Sequence, residues 1–466
     1  MARLFVYLLY NLLLPIVLAV GFPSFILKGI RRGGLARNFR QRFGRFRPET
    51  LGRFEGKRPL WIHAVSVGEI FIALKVVEAI RAIRPEQDIV LSTTTTTGYS
   101  VAEEKSDERL TVIHNPVDLP WVARRVARII DPCGLVLIEA EIWPNLVALL
   151  KRRGVPVQLI NARLSPRSAK RYSAFLPLIK PIFSQLDAVT VPFDADKPRW
   201  AHLGIPADCI HVLGSVKFDS TSVNPTTDEK PKELQSWLAE TGFQEGHSLL
   251  LAASTHDGEE ALLAGSLAQL RESDPQVELI IVPRHAERGS DIARQLEAQG
   301  WNPILRVAPG SGEGETAGPM AKGAPGRTVW IANTTGELRA WFPLADVVVV
   351  GKSFHGAGGQ NPVEPILAGR PVVVGPNMQN FRDVVADLVA SDGIRQLEDE
   401  SVLTEAIREF LENPESGRAM AERGAAAMAR HEGAATRSAE FIFSILECGS
   451  SRDESLAGHD RPPASP

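Results

Sequence analysis

The sequence predicts an α/β protein of two doubly wound, Rossmann-like domains that face a cleft, with an N-terminal membrane-anchor helix. Short apolar runs of strand length alternate with helical stretches along most of the chain. A polar stretch divides this alternation into two series. An uncharged apolar run precedes both series, and its length suits a membrane.

Length and composition set the class of protein. The chain has 466 residues, enough for two domains and additional segments, and its 44% hydrophobic and 23% charged content is that of a folded protein. A net charge of −3 gives no general attraction to nucleic acid, so we expect no nucleic-acid partner. The three cysteines, Cys133, Cys209 and Cys448, lack metal-type spacing and fit a reducing compartment. We therefore expect neither a metal nor another cofactor.

Residues 1–30 are predicted to form the membrane anchor. No side chain from Leu4 to Leu27 carries a charge, so this run can cross a bilayer or lie deeply in one leaflet. Residues 31–58 form a basic juxtamembrane segment, which predicts cytoplasmic domains and contacts with anionic lipid head groups. A cleaved signal peptide fits less well, because its positive charge should precede the apolar run, where only Arg3 stands.

The elements follow in order. The first domain, residues 59–222, should contain a helix from Ile70 to about Arg84 and strands at Leu60–Val65, Asp88–Ser92, Leu110–Ile113, Leu135–Ile138, Val155–Ile160, Ala188–Val191 and Ile210–Leu213. Residues 223–247 are predicted to be a linker. The second domain, residues 248–447, should contain a helix at Ile366–Arg370 and strands at Leu249–Ala253, Val277–Val282, Thr328–Ile331, Asp346–Val350 and Pro371–Val374. We expect Ala308–Arg327 to be a mobile excursion and residues 448–466 to be a disordered tail.

The most informative stretch is Gly351–Pro365, which follows the apolar strand Asp346–Val350. A glycine-rich turn between a strand and a helix lets the backbone approach a polyanion at the sheet edge where ligands bind. Asn361 can cap the helix, Pro362 suits its first turn, and Glu364 would then offer a carboxylate to a ribose diol. A simple turn without a ligand is the alternative.

Candidate chemistry divides between the two halves. Strand ends in the first half carry carboxylates, whereas those in the second half carry arginine, amides and glycines. This division fits transfer of a nucleotide-activated group to an acceptor hydroxyl, with Glu69 as the general base. The alternatives are a helix-start carboxylate for Glu69, an arginine-balancing carboxylate for Glu139 and a surface lysine for Lys217.

Seven segments together resemble, in the same order, the motif series of the 3-deoxy-D-manno-octulosonic acid (Kdo) transferases. They are His63-Ala-Val-Ser-Val-Gly-Glu69, Glu139-Ala-Glu-Ile-Trp-Pro-Asn145, Asn161-Ala-Arg-Leu-Ser165, Gly214-Ser-Val-Lys-Phe-Asp219, Ser254-Thr-His-Asp-Gly-Glu-Glu260, Val282-Pro-Arg-His285 and Gly358-Gly-Gln-Asn-Pro-Val-Glu364.

The resemblance implies a GT-B glycosyltransferase on the cytoplasmic face of the inner membrane. It implies CMP-Kdo as the donor, a lipid A precursor (lipid IVA) as the acceptor, inversion at the anomeric carbon and no metal. Glu69 matches the family's general base, and Glu139 and Lys217 match residues that stabilise the transition state. The implied CMP-binding residues are Pro283, Arg284, Thr335, Gly336, Glu337, Asn361, Pro362, Val363 and Glu364.

Several positions depart from the usual family pattern, among them the segment His355-Gly-Ala357. Ala140 stands in place of threonine, Gln360 of histidine, Asn333 of aspartate and Lys352 of glycine. None of these changes removes a proposed catalytic group. Two alternatives stay open: a related enzyme that uses another nucleotide sugar, such as a UDP-sugar transferase or epimerase, and a membrane-tethered scaffold without catalysis.

Overall fold

The computed structural model describes residues 2–31, 39–164, 166–219, 229–307 and 327–457. The chain forms two compact units. The first unit consists of Met1–Val223 and His431–Pro466, and the second consists of Asn224–Arg430.

The described residues contain parallel strands and helices in alternation. The strands are β1 (Leu60–Ala64), β2 (Ile89–Thr93), β3 (Leu110–His114), β4 (Gly134–Ile138), β5 (Val157–Ile160), β6 (Ala188–Val191), β7 (Ile210–Val212), β8 (Ser248–Thr255), β9 (Val277–Pro283), β10 (Asn302–Val307), β11 (Thr328–Asn333), β12 (Val347–Val350), β13 (Val372–Val374) and β14 (Arg395–Gln396). The helices are α1 (Ala2–Arg31), α2 (Pro48–Gly52), α3 (Val67–Ile83), α4 (Thr96–Glu103), α5 (Pro120–Ile130), α6 (Pro144–Arg152), α7 (Pro166–Ala174), α8 (Leu176–Phe183), α9 (Lys197–His202), α10 (Glu229–Glu240), α11 (Glu259–Ser273), α12 (Gly289–Ala298), α13 (Leu338–Trp341), α14 (Val363–Leu367), α15 (Arg382–Ala390), α16 (Leu403–Glu412), α17 (Pro414–Met428) and α18 (Ala434–Ala457).

Each unit is built on one seven-stranded parallel sheet. The strand order is β3-β2-β1-β4-β5-β6-β7 in the first unit and β10-β11-β9-β8-β12-β13-β14 in the second. Central strands such as β4 and β12 consist mostly of Val, Ile and Leu, and every residue of β1, β4 and β12 is buried. Such uniform burial is expected where helices cover both faces of a parallel sheet. The predicted doubly wound fold class is confirmed.

The order of strands creates one switch point in each sheet. In the first sheet the chain moves outward from β1 through β2 and β3 and then returns to β4 on the other side of β1. In the second sheet it moves outward from β8 and returns to β12 on the other side of β8. Ligands of doubly wound sheets bind at such points, outside the carboxyl ends of the strands.

Two strands of the second sheet were not predicted from the sequence. β10 contains Pro303, which cannot donate a ladder hydrogen bond and therefore weakens the strand pattern. The structure accommodates this proline because β10 is the edge strand of the sheet. β14 has only two residues, too few to show a periodic pattern.

The predicted linker, residues 223–247, is wrong over most of its described length. Residues 229–240 form α10, whose Leu234 and Trp237 side chains are buried in the second unit. The Trp237 ring meets the Trp341 ring edge-on at 6.1 Å between centroids, and the Arg306 guanidinium lies 5.5 Å from the Trp237 ring centre. These aromatic contacts make α10 part of the folded unit.

The predicted end of the second domain, at residue 447, is also wrong. The chain returns to the first unit at His431, and the buried side chains of Ala439, Ile442 and Phe443 pack with those of α3 and β1. Burial of this apolar stripe provides the driving force. Helix α18 continues to Ala457, so the tail predicted from residue 448 is helical over its first part, and residues 458–466 lie outside the described residues. The predicted excursion at Ala308–Arg327 lies outside them except for Arg327.

Helix α1 lies against the first unit through its first three turns. Val6 is buried, Tyr10 Oη donates to Asp118 Oδ2 at 3.0 Å, and Asn11 and Asn145 exchange side-chain hydrogen bonds of 3.0 and 2.8 Å. Leu8 and other apolar side chains on the remaining faces are exposed. Among the described residues α1 is the single helix that is long and apolar enough to cross a membrane, judged by length and composition alone.

The basic segment after α1 is not uniformly available to lipid. Arg42 is buried, donates to Thr94 O at 2.6 Å and lies 3.2 Å from His114 Nδ1. The expectation that Arg42 meets lipid head groups is therefore wrong, because its guanidinium binds protein groups. Arg53 likewise donates to Asp107 O at 3.0 Å but remains exposed.

Candidate active site

Glu69 follows β1 at the switch point of the first sheet, in the first turn of α3. Its main-chain N donates to Ser66 Oγ at 3.3 Å, and its Oε1 accepts from Ser66 Oγ at 3.1 Å. Its Oε2 accepts from Val65 N at 2.8 Å. This reciprocal capping arrangement fixes the carboxylate at the sheet edge. It also starts α3 at Val67, three residues before the predicted start at Ile70. Glu69 remains partly exposed, so a ligand can reach it.

The surroundings of Glu69 favour its protonated form. Burial raises the pKa of Glu69, the hydrogen bond from Val65 N lowers it, and the negative charge of Glu139 raises it again, with a net increase. A higher pKa makes the carboxylate a stronger proton acceptor.

Glu139 follows β4, on the other side of the same switch point. Its φ of 65° is in the left-handed region, its main-chain N donates to Ile160 O at 3.1 Å, and its O accepts from Arg163 N at 3.2 Å. Burial raises the pKa of Glu139, while the positive charges of Arg163 and Lys217 oppose that increase. A carboxylate held in an uncommon backbone conformation beside two cations is typical of a functional site.

Lys217 lies in a turn after β7, and other parts of the unit hold this turn in place. Val216 N donates to Asn161 Oδ1 at 3.1 Å, and Lys75 Nζ of α3 donates to Asp219 O at 2.7 Å. The pKa of Lys217 is lowered by burial of part of its side chain and by the positive charge of Arg163, and it is raised by the negative charge of Glu139. The residue nevertheless keeps an exposed surface. The three predicted catalytic residues are therefore linked by electrostatic interactions within one unit.

Glu141 adds a fourth ionisable group to this site. Burial and the negative charge of Glu69 raise the pKa of Glu141 to about 7. The negative charge of one carboxylate therefore disfavours ionisation of the other, as in pairs of neighbouring acids.

His63 supports the site without titrating near neutral pH. It is buried, its Nε2 accepts from Trp143 Nε1 at 3.0 Å, and its Nδ1 lies 2.9 Å from Ser92 Oγ. Burial lowers the pKa of His63 to about 4, so the ring is neutral and acts as an acceptor for Trp143. It thereby positions the segment between Glu139 and α6.

Two supporting residues were missed in the sequence. Asp219 accepts from Gly433 N at 3.0 Å and from Ala435 N at 2.7 Å at the start of α18. His431 Nδ1 accepts from Ser215 N at 3.0 Å. Asp219 ends one of the quoted motifs, but its partners are far away in the sequence and give no local signal.

In the second unit, the predicted CMP-binding residues follow neighbouring strands. Thr335 and Gly336 form an exposed turn after β11. Pro283 is the last residue of β9, and Arg284 is the first residue after that strand. β9 lies between β11 and β8 in the sheet. Arg284 is exposed, and its main-chain N donates to Thr255 O at 3.1 Å. An exposed guanidinium at this edge can bind a phosphate.

Glu337 differs from the other predicted CMP-binding residues, because its carboxylate already has several donors. Arg306 donates at 2.9 and 3.1 Å, Thr334 Oγ1 at 2.6 Å, and Lys230 Nζ lies 2.8 Å away. Burial would raise the pKa of Glu337, but these hydrogen bonds lower it to about 2. A nucleotide contact at this residue would therefore involve its main chain.

The segment from Asn361 to Glu364 opens α14. Asn361 Oδ1 accepts from Val363 N at 3.1 Å, and Asn361 Nδ2 donates to Glu364 Oε1 at 3.2 Å. Arg339 also holds Glu364 through bonds of 3.1 and 3.2 Å. Pro362 and Val363 are buried, so their side chains serve packing.

The helix predicted at Ile366–Arg370 is wrong in its bounds. α14 starts at Val363 and ends at Leu367. Gly369 has a φ of 75°, which terminates the helix before β13.

Glu259 organises the loop after β12, a role that no pattern in the sequence predicts. It is buried, and its carboxylate accepts hydrogen bonds from five main-chain N–H groups. The donors are His256 N at 2.9 Å, Lys352 N at 2.7 Å, Ser353 N at 3.0 Å, Phe354 N at 3.1 Å and His355 N at 3.3 Å. The loop therefore folds around a carboxylate of the protein itself.

A protein-bound metal was not expected. In the parts of the chain that the structure describes, no group of three or more His, Cys, Asp or Glu side chains could hold a metal ion.

Comparison with known proteins shows which family of proteins this chain is similar to. Residues 37–220 match the family described as 3-Deoxy-D-manno-octulosonic-acid transferase (kdotransferase). The chain is 32% identical to the 3-deoxy-D-manno-octulosonic acid transferase of Bordetella pertussis, over 85% of this chain and 91% of that protein. It is 28% identical to the protein of the same description from Haemophilus influenzae, over 83% and 87%.

Among solved structures, the UDP-GlcNAc 2-epimerase of Neisseria meningitidis has a similar fold. The TM-score is 0.54 at 13% identity, and the match covers 84% of this chain and 99% of that one. At this identity the likeness concerns the fold alone.

Proposed function

This chain belongs to the Kdo transferase family, and we propose that it transfers Kdo from CMP-Kdo to a lipid A precursor, lipid IVA, with inversion at the anomeric carbon. The observation that carries the proposal is the position of Glu69 and Glu139 on the two sides of the switch point of the first sheet. The two carboxylates interact electrostatically with each other, and Glu139 also interacts with Lys217.

In the proposed reaction Glu69 accepts the proton of the acceptor hydroxyl. The acceptor oxygen forms a bond to the anomeric carbon while the bond from that carbon to the CMP phosphate oxygen breaks, and the electron pair leaves with the phosphate. Attack from the face opposite the phosphate inverts the configuration. Val65 N and Ser66 Oγ hold the Glu69 carboxylate in place, so little reorganisation is needed at the moment of proton transfer.

The second unit is proposed to bind CMP. Arg284 would bind the phosphate, the exposed turn of Thr335 and Gly336 would contribute main-chain groups, and Glu364 would accept from the ribose hydroxyls. Arg339 and Asn361 fix the Glu364 carboxylate for that contact. We propose that the reaction requires no metal, which predicts full activity in excess EDTA.

The protein is proposed to act at the cytoplasmic face of the inner membrane, with α1 lying in one leaflet. Tyr10 and Asn11 are hydrogen-bonded to the first unit, which keeps the first turns of α1 beside a folded domain. The exposed apolar side chains of α1 would then enter the lipid. This arrangement suits an acceptor that is itself held in the membrane.

One experiment tests the proposed reaction. Purified protein is incubated with CMP-Kdo and tetraacylated lipid A precursor, and the product is weighed by mass spectrometry and its anomeric configuration determined by NMR. Addition of Kdo with inversion is expected. Failure to transfer, together with tighter binding of UDP than CMP, would favour the alternative of another nucleotide sugar. Binding of neither nucleotide would favour the non-catalytic scaffold.

A further inference from the structure

Lys352 adopts a backbone conformation that is uncommon for a residue with a long side chain. Its φ is 56°, in the left-handed region that favours glycine. It immediately follows Gly351 at the carboxyl end of β12. Strained residues of this kind persist where the surrounding structure fixes them, and they are frequent at ligand sites.

Hydrogen bonds from the surrounding loop hold Lys352 in this conformation. Its main-chain N donates to Glu259 Oε2 at 2.7 Å, and its O accepts from Gly359 N at 3.1 Å. Gly351 cannot be replaced by a larger residue, because a Cβ there would lie 2.6 Å from Ser254 O and 2.6 Å from Thr255 Cα. The backbone path is therefore fixed without any contribution from the lysine side chain.

The lysine lies at the switch point of the second sheet. β12 and β8 are neighbours there, with Lys352 following β12 and His256 following β8. The two residues therefore follow adjacent strands, and burial and the positive charge of Lys352 both lower the pKa of His256. The His256 ring in turn meets the His285 ring at 6.2 Å between centroids, beside Arg284 after β9.

Within the described ranges, Lys352 forms no ion pair with a carboxylate. It is partly exposed and keeps an ammonium group for an anionic partner. Basic and imidazole groups thus follow three adjacent strands, at the edge where a parallel sheet binds its ligand.

We propose that Lys352 binds an anionic oxygen of the sugar-nucleotide donor and thereby increases this protein's affinity for an acidic sugar donor. The inference rests on the proposed function. CMP-Kdo offers two sources of this chemistry, the carboxylate of the sugar acid and the phosphate of CMP. Because Lys352 is not one of the proposed catalytic residues, transfer should continue without it at higher donor concentration.

The test compares Lys352→Gly with Lys352→Met. The glycine variant relieves the left-handed strain, whereas the methionine variant keeps the strain and removes only the charge. For both we expect the Kd and KM for CMP-Kdo to rise about 10- to 100-fold, the cost of losing a charged hydrogen bond, with little change in kcat. Resistance to thermal unfolding should be equal or higher for Lys352→Gly.

Binding of CMP alone identifies the anionic group. A weaker affinity for CMP-Kdo with unchanged affinity for CMP indicates the sugar carboxylate, and an equal loss for both indicates the phosphate. Lys232→Met serves as the control for loss of an exposed positive charge.

Two results would overturn the inference. If both Lys352 variants bind CMP-Kdo as tightly as the wild type, no donor contact exists. If they lose stability while KM is unchanged, the lysine serves only to balance the Glu259 charge. Failure of the wild-type protein itself to bind CMP-Kdo would instead remove the proposed function.

Discussion

The negative charge of Glu139 raises the pKa of Glu69, and the two residues lie on opposite sides of the switch point of one parallel sheet. One group follows β1 and the other follows β4. Their interaction makes the protonation of the proposed base depend on the charge of a second carboxylate.

Replacing Glu69 with glutamine should reduce the rate of Kdo transfer by about 100- to 10,000-fold, the usual contribution of a general base. Glutamine keeps the size of the side chain but cannot take a proton. CMP binding, measured by calorimetry, should be unchanged. The matched control is Glu78→Gln, on an exposed position of the same helix, which should transfer Kdo normally. Substantial transfer by Glu69→Gln would remove Glu69 from the role of base.

The pH dependence of kcat/KM should report the ionisation of Glu69. The base acts when deprotonated, so the rate should fall as the pH decreases through its raised pKa. Glu139→Gln removes a nearby negative charge, which lowers the pKa of Glu69 and shifts the acidic limb to lower pH, alongside a lower maximum rate. The measurement is a pH–rate profile of both proteins. A limb that stays in place or moves to higher pH would contradict the electrostatic interaction.

Glu259→Ala should reduce the free energy of unfolding by about 2–4 kcal/mol, because five main-chain N–H groups lose their acceptor. Chemical denaturation measures the loss. Glu272→Ala, at an exposed position of the same helix α11, should change stability by no more than about 0.5 kcal/mol. Equal effects of the two substitutions would show that the loop does not depend on Glu259.

A double substitution of Leu8 and Leu12 by lysine should release the protein from membranes. Both side chains are exposed on α1, with 63% and 68% of their surface accessible, and they lie one turn apart. The substitutions leave the hydrogen bonds of Tyr10 and Asn11 intact, so the fold should be unchanged.

Sedimentation with vesicles and thermal unfolding measure these two properties of the Leu8 and Leu12 variant. Glu104→Lys, an exposed change away from α1, provides the control for added positive charge. Undiminished vesicle binding by the double variant would show that the apolar surface of α1 does not attach the protein.

Much of the architecture could be predicted from local patterns. Runs such as Val347–Val350 identify buried parallel strands because both of their faces are covered, and their alternation with helices indicates the doubly wound class. The same patterns failed at β10, where Pro303 interrupts the apolar pattern of an edge strand. They also failed at α10, whose polar composition conceals the buried Leu234 and Trp237.

The motifs also indicated which residues to examine at the site. Glu69, Glu139 and Lys217 were predicted, and their electrostatic interactions within one unit agree with that choice, while their catalytic roles stay predictions. The role of Glu259 in folding the loop after β12 could not be predicted. A carboxylate near a helix start has the same sequence pattern whether it caps its own helix or binds a distant loop.

The sequence by itself determined most of the strands, their parallel class, the uncharged apolar run near the N-terminus and the residue types available for transfer chemistry. Only the tertiary structure decided that α18 returns to the first unit, that Arg42 is buried and that Lys352 is held in a left-handed conformation. The physical reason is the separation along the chain between the residues that interact. Periodicity reports burial between neighbours along the chain, whereas hydrogen bonds, charge interactions and steric limits join groups that become neighbours only after folding.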